Sequence, residues 1–467
     1  MPKTLALLLC VALAVRILFF LFVRPWDPVV ARDVVLQVDA GEYHDLATTL
    51  EHHHRFARTA EAAPNAYRTP GYPAFIAAVY SIGGDRPWVV LLAQIVLDAM
   101  TSMMIFLMIS ATMDYRSGLV GAAAYALDPF LVQSSVSLLS DTLFVFLCVL
   151  GALFFSKAIA RRFAWDSRGQ LVLAAAVWGL ATLVRPTTQF FVLLIPVLIL
   201  WIGRKSIRHA AKSAGAFAIV FVLVIAPWVA RNLVMFGQPA LSTSGAYNML
   251  ILYAVPLEVE RQGAASDTIA GALLREADDL MRQDGHAPEL LNDFQKSPYW
   301  QHIAVQYVAR EPGRFAKLCV VGVLHSFGNL GTRGFAQMLG FRQHEGDPLD
   351  MNMYSNPLQL LKEFVARKTR GELSIGIVVG LFLCLSYALC VVGIVAAWGR
   401  YDRLFLVFCL FVAMYFMVIS GPYGLARYRL PAIPFYAAFV GAGAVVIASK
   451  CFRKSQQQAD TGGTGQL

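Results

Sequence analysis

Apolar stretches recur along this chain at lengths that a bilayer sets. About 30 Å of hydrocarbon calls for roughly 20 helical residues. Runs near that length fall at 5 to 23, 88 to 110, 117 to 136, 140 to 157, 170 to 184, 188 to 203, 213 to 234, 374 to 398, 403 to 420 and 430 to 449. The pattern predicts an all-α polytopic membrane protein with about ten spanning helices. The first run contains Arg16, lacks a small-residue cleavage site and leads into Arg24-Pro25-Trp26, so it reads as a retained helix and not a signal peptide.

Two polar segments break the pattern, at 24 to 87 and at about 235 to 373. In the first, Tyr43, Leu46, Ala47 and Leu50 recur at helical spacing while Glu42, Asp45 and Glu51 occupy the rest of the circumference, which predicts a short helix lying on the membrane. Ala74 to Ile82, opened by Pro70-Gly71-Tyr72-Pro73 and ended by Gly83-Gly84, is too short to span. These two surface helices would form a shallow roof.

In the second polar segment, Arg314 to Phe327 predicts an interfacial helix, because a crossing there would turn the basic ends around Arg400 and Lys450 outward. The organisation expected is a transmembrane module over 1–234, an outer segment over 235–373, C-terminal transmembrane helices over 374–449 and a disordered tail over 450–467.

Composition narrows the class. Of 467 residues, 57% are hydrophobic and 15% charged, and the mean hydropathy of +0.57 lies beyond ordinary soluble domains. The formal charge is +9, but with the N-terminus inside, the inward segments carry +11 and the remainder −2. Orientation by the positive-inside rule accounts for the excess, and a nucleic-acid partner is not needed. Seven cysteines lie in or beside apolar runs, with Cys319 alone in the two outer segments, so no disulfide framework is indicated.

The outer segments hold the candidate chemistry. Asp39 is a carboxylate placed to take a proton from an acceptor hydroxyl, although Asp39 followed by Glu42 also reads as a capping box opening the surface helix. Arg68, before Thr69-Pro70-Gly71-Tyr72-Pro73, and Arg427 with Arg429, before Pro431, offer the planar forks that suit a phosphate, or anchors for lipid headgroups. Arg185 and Arg231 are further outward arginines. Asp141 and Asp128 read as helix caps.

Asp98 falls in mid-span, where an acid needs a partner, and Arg16 in the first span is the one expected. The run His52-His53-His54 reads as solvated, since neighbouring side chains on a helix diverge. His44 with Glu42 is the better pair for a divalent metal, still a weak signal. There is no Walker loop or dinucleotide fingerprint, which argues against a nucleotide-sugar donor and an ATP-driven pump.

The order Asp39 to Ala47, Arg68-Thr-Pro-Gly-Tyr-Pro73, Leu138-Leu-Ser-Asp-Thr-Leu143, Gly179 to Pro186, Ala226 to Asn232 with Phe236-Gly237, Ser242 to Asn248 and Arg427-Tyr-Arg-Leu-Pro431 resembles the bacterial glycosyltransferase family 39 and aminoarabinose-transferase-like branch of the GT-C membrane glycosyltransferases. The resemblance runs through nearly the whole chain. It implies a GT-C-like bundle of about 10 (range 10 to 13) transmembrane helices with extracytoplasmic juxtamembrane helices, in a bacterial plasma membrane.

The activity it implies is inverting transfer from a polyprenyl-phosphate sugar to an envelope glycan, lipid or protein at the outer face, with a divalent metal used by some members. It implies Asp39 as the catalytic residue. With it go a phosphate site of Arg68, Arg427, Arg429 and Arg185 and a substrate site drawing on Glu42, Tyr43, Tyr72, Asp141, Arg231, Tyr247 and Asn248. Relatives often carry Glu where this chain has Asp141. Some have a second acid directly beside the catalytic one, whereas here the neighbours are Val38 and Ala40, which argues against a protein mannosyltransferase.

Two rival readings stay open at this point. A lipid-linked-sugar flippase or transporter would need polar residues along the spans, which Arg16 and Asp98 do not supply. A polymerase joining whole glycan repeats would use the same outer face.

Overall fold

The computed structural model describes residues 2–37, 39–163, 168–340 and 369–462. Among them there are helices and turns and no strand, as hydrocarbon demands of any spanning segment that is not a closed barrel. Helix α1 (Pro2–Val23) opens the chain. Helices α2 (Asp39–His53) and α3 (Gly71–Gly83) occupy the first polar segment, at the positions that its periodicity predicts. Tyr43, Leu46 and Ala47 are the buried face of α2, one helical turn apart.

The membrane core continues with α4 (Pro87–Thr112), α5 (Tyr115–Ala126), α6 (Pro129–Ser135), α7 (Asp141–Ala160), α8 (Arg168–Val184), α9 (Phe191–Ile202) and α10 (Ile207–Phe236). Next come the helices of the second polar segment, α11 (Val255–Gln262), α12 (Ser266–Gln283), α13 (Asp293–Arg310), α14 (Pro312–Gly328) and α15 (Thr332–Met338). The chain returns through α16 (Arg370–Ala397) and α17 (Arg403–Val418), and a short turn of helix, α18 (Ala426–Arg429), leads into α19 (Ile433–Gly462).

Six of the ten expected runs form helices of 18 residues or more with spanning hydropathy, those beginning at 5, 88, 140, 213, 374 and 430. The runs at 170, 188 and 403 form shorter apolar helices. The run 117 to 136 does not form one span. Pro129 has no N–H to give and takes the first position of α6, while the Asp128 carboxylate accepts from the N–H groups of Phe130 (2.9 Å) and Leu131 (3.2 Å), so the chain breaks into α5 and α6. Asp128 is therefore the cap expected of it. Pro312–Gly328 is helical, covering the stretch Arg314 to Phe327 over which a helix is expected.

The last helix is held by close backbone approaches. A Cβ on Gly441 would run into the Ser117 carbonyl of α5, and one on Gly443 into the Leu389 carbonyl of α16, so small residues are what let these three helices meet. Helices α11 to α13 have a smaller core of their own, in which Val259, Ile269, Leu273, Met281, Trp300 and Ile303 pack together. The core bears out one expectation and corrects another. Arg16 and Asp98 do pair, at 2.5 Å with both side chains buried, and Tyr72 is fully buried with its hydroxyl donating to Gln94 Oε1 at 2.6 Å. Tyr72 is thus a scaffold behind the site and not a surface open to substrate.

Candidate active site

Three distant parts of the chain meet at Asp39. Oδ1 accepts from Arg68 Nη2 at 2.6 Å, and Oδ2 accepts from Arg427 Nη1 at 3.1 Å, across 388 positions of sequence. Each arginine is also held from its far side. Glu42 Oε2 accepts from Arg68 Nε at 2.8 Å, and Asp141 Oδ2 accepts from Arg427 Nε at 2.6 Å. The other oxygen of Asp141 accepts from Arg185 Nη1. The result is a chain of alternating charge in which three carboxylates (Asp39, Glu42, Asp141) balance three guanidiniums (Arg68, Arg185, Arg427).

Local sequence explains how these groups are presented. Asp39 and Glu42 sit in the first turn of α2, three residues apart, and so lie on one face. Their carboxylates turn toward Arg68, so the pair that reads as a capping box serves a tertiary contact instead. Gly71 begins α3 against the end of α8, where a Cβ would come to 2.7 Å of the Leu183 carbonyl, and Thr69 Oγ1 donates to Val184 O at 3.1 Å. That close approach ties the Arg68 turn to the turn bearing Arg185.

Asp141, read from sequence as a cap, is 1% exposed and spends both oxygens on arginines. The cap reading is corrected: Ser140 holds the N-cap position of α7. Aromatic rings fix Arg68, with Tyr43 and Tyr67 each 4.8 Å from its guanidinium carbon. Tyr247 stands edge-on to Tyr67 at 5.8 Å and to Trp300 of α13 at 5.5 Å, which links the site to α13.

Burial works against the charge on Asp39, but the Arg68 and Arg427 guanidiniums outweigh it and hold the carboxyl below the usual carboxylate range. Because the folded value is the lower one, the stabilisation is present above the ordinary carboxylate pKa and is lost only as pH falls through the folded value. Asp39 is therefore ionised at neutral pH. Its side chain is 31% exposed, against 14% for Arg68, which leaves an approach for a ligand from one side.

Other residues expected at the site take different places. Arg231 stacks over Trp228 (4.6 Å) and Phe236 (5.1 Å) and donates to the Asn65 carbonyl at 3.2 Å. Asn65 in turn accepts from the Arg68 backbone N–H at 2.8 Å, so Arg231 braces the Arg68 turn from behind. Asn248 is exposed beside the buried Ala246. Arg429 is fully buried and donates to backbone carbonyls of 326, 327 and 329, away from Asp39. Residues two apart on a helix point about 200° apart, so Arg427 and Arg429 do not make one grip.

The metal pair is also separated. Glu42 faces Arg68, while His44 Nδ1 shares a hydrogen bond with Tyr80 Oη at 2.8 Å, and burial lowers its pKa. With guanidiniums on both oxygens of Asp39, the residues here do not fit a cation. Among the described residues, a His-carboxylate set with metal spacing is Glu51, His52 and Asp85, whose ligand atoms lie within 4.8 Å of one another. It sits at the far end of α2, about 18 Å along the helix from Asp39 at 1.5 Å per residue. Tyr67 and Asn65 were not singled out by sequence, although both stand within three residues of Arg68 in a turn-forming stretch.

The model of the dolichyl-phosphate-mannose-protein mannosyltransferase family matches residues 67–230. No curated protein sequence matches the chain. Among solved structures, the archaeal oligosaccharyltransferase AglB from Archaeoglobus fulgidus, in complex with an inhibitory peptide and a dolichol-phosphate, aligns with TM-score 0.55 and 14% identity over 100% of this chain and 52% of that one. The Archaeoglobus fulgidus oligosaccharyltransferase tethered with an acceptor peptide aligns with TM-score 0.54 and 14% identity over 96% and 49%. This chain thus spans about half the length of those enzymes. In fold the chain is similar to these oligosaccharyltransferases, and through residues 67–230 its sequence matches the mannosyltransferase family model.

Proposed function

We propose that the chain is an inverting glycosyltransferase that moves a sugar from a polyprenyl-phosphate donor to an envelope glycan, lipid or protein at the outer face of a bacterial plasma membrane. The observation that carries this reading is the carboxylate of Asp39 held between two arginines from opposite ends of the chain. A general base and a phosphate grip are the two parts the reaction needs, and here they touch. Asp39 takes the proton of the acceptor hydroxyl as that oxygen attacks the anomeric carbon. The bond from that carbon to the phosphate oxygen breaks, and the polyprenyl phosphate leaves with its new charge facing Arg68, Arg427 and Arg185.

The electrostatics set an order of events. With its charge balanced by three arginines, the cluster has no net pull on an anion until the arginines exchange carboxylate partners for phosphate. A phosphate that draws Arg68 and Arg427 toward itself removes the groups that hold Asp39 at low basicity. Asp39 becomes a better proton acceptor when donor is bound. A flippase reading gains nothing from the structure, since Arg16 and Asp98 are buried against each other and line no path.

The reading is tested by comparing envelope glycans and glycolipids, by mass spectrometry, from a deletion strain complemented with wild type or with Asp39→Asn. A missing hexose, pentose or amino sugar restored by wild type alone supports it; an unchanged envelope overturns it. For the phosphate grip, Arg427→Lys keeps the charge but cannot serve Asp39 and Asp141 from one planar fork. Affinity for undecaprenyl phosphate, followed by intrinsic fluorescence in detergent, is expected to fall about tenfold, the equivalent of roughly 1.4 kcal/mol.

Sidedness is tested separately. In a background without the native cysteines, single cysteines at positions 60 and 290 are expected to react with an impermeant reagent in intact cells, and one at position 206 is expected to be protected. Protection of position 290 reverses the assignment of the outer segment.

A further inference from the structure

Arg429 lies two residues beyond Arg427, and its environment differs in every respect. Its side chain has no exposure. Nη1 donates to the carbonyls of Ser326 (2.9 Å), Phe327 (3.0 Å) and Asn329 (3.0 Å), which are the last carbonyls of α14 and the turn after it. A helix end leaves such carbonyls without partners and carries partial negative charge, so a guanidinium there both caps and neutralises it. The cation also lies 5.6 Å from the Phe130 ring of α6.

The same contact is tightened by backbone against backbone. A Cβ on Gly322 of α14 would meet the carbonyls of Gly421 and Pro422, a Cβ on Gly424 would meet the Gly322 carbonyl, and His325 Nδ1 is hydrogen-bonded to the Gly424 carbonyl. Gly421 itself has φ +62°, a left-handed conformation that glycine adopts without strain. The stretch from 421 to 429 is therefore fastened to α14 at several points. It carries Arg427, which reaches Asp39 and Asp141.

We propose that Arg429 is a positioning residue for donor binding: by fastening the end of α14 to the turn that bears Arg427, it makes the outer segment and the phosphate grip move as one body. This rests on Arg427 holding the donor phosphate, as argued above. A shift of α14 by a fraction of an ångström moves the Arg427 fork relative to Asp39, and a bidentate contact tolerates little of that. Acceptor engaging the outer helices and donor engaging Arg427 are then linked, each changing the affinity of the other by the same factor.

The test uses the full chain in detergent and two probes, undecaprenyl phosphate and undecaprenol, which differ only in the phosphate. Arg429→Met removes the three-carbonyl contact. Gly322→Ala pushes α14 from the 421–424 backbone without touching any charge, and serves if Arg429→Met fails to fold. Both are expected to weaken undecaprenyl phosphate binding at least fivefold while undecaprenol binding stays within twofold. Arg429→Lys, which retains a donor for the carbonyls, is expected to recover part of the loss.

Equal weakening of both probes, or no weakening of either, overturns the positioning role, because a merely structural residue gives no phosphate-specific loss. Arg427→Lys is measured in parallel. If it leaves undecaprenyl phosphate affinity unchanged, the reading of Arg427 as phosphate grip fails and the positioning role fails with it. A loss with Arg427→Lys but not with Arg429→Met or Gly322→Ala sinks the positioning role alone.

Discussion

Asp39→Asn is expected to lower turnover by about 10² to 10⁴-fold, the range typical of losing a general base, in a protein that still folds. The structure explains why the two effects separate. Without the carboxylate charge, Arg68 keeps Glu42 and Arg427 keeps Asp141, so neither arginine is left without a counter-ion. The amide oxygen still accepts from one guanidinium, and its NH2 group turns away from the other. What is lost is the only carboxylate of the cluster that touches both Arg68 and Arg427.

Expression and thermal unfolding of the purified variant are followed beside turnover with a polyprenyl-phosphate sugar. Binding of undecaprenyl phosphate is expected to be retained or strengthened, because the arginines are freed from a competing anion. A stable Asp39→Asn protein with full turnover removes Asp39 from the mechanism. Loss of phosphate binding together with turnover assigns Asp39 to holding the arginines in place instead.

Much of this site is legible in the sequence because its parts are local. The periodicity of Tyr43, Leu46 and Ala47 sets the inner face of α2 and hence the side on which Asp39 and Glu42 emerge. Asp98 in a span demands a partner, and Arg16 is one of few cations at comparable depth. Asp128 before Pro129 reads as a cap, although the apolar run from 117 to 136 continues past it and hides the break between α5 and α6. The misread positions are those where one local pattern serves two ends.

Ser140-Asp141-Thr142 looks the same whether the acid caps α7 or meets Arg185 and Arg427, because the deciding partners lie 44 and 286 residues away. Asp39 with Glu42 likewise satisfies a capping pattern that the tertiary arginine overrides. Arg427 and Arg429 share a motif, and only the direction of α18 assigns one to the site and the other to the end of α14. Tyr72 stands in a motif that reads as a binding turn, yet its hydroxyl is used up by Gln94. In each case short-range sequence constrains the backbone, and the side chain's partner is decided by which helices happen to be neighbours.

Asp98→Ala is expected to cost about 3 to 5 kcal/mol of stability, the range for leaving one partner of a buried ion pair alone. Arg16 has no exposure and Asp98 has 2%. The guanidinium donates to Asp98 Oδ2 at 2.5 Å and to the carbonyls of Ala12 (3.0 Å) and Ala126 (2.8 Å), and Tyr125 Oη donates to Asp98 Oδ1 at 2.5 Å. These bonds tie α1 to α4 and α5. Removing the carboxylate leaves a cation in an apolar interior, with two weakly basic carbonyls to share its charge, and leaves the Tyr125 hydroxyl without its acceptor. Replacing the whole set by apolar groups of similar volume, Arg16→Met with Asp98→Leu and Tyr125→Phe, removes every stranded group at once. That triple variant is expected to recover most of the loss, since a buried pair seldom outweighs well-packed hydrophobic residues. Reversible unfolding in mixed micelles, compared across wild type, Asp98→Ala and the triple variant, gives the three numbers. Asp98→Ala within about 1 kcal/mol of wild type, the worth of an exposed pair, means that water reaches Arg16 and that α1 is not held to the bundle through this contact.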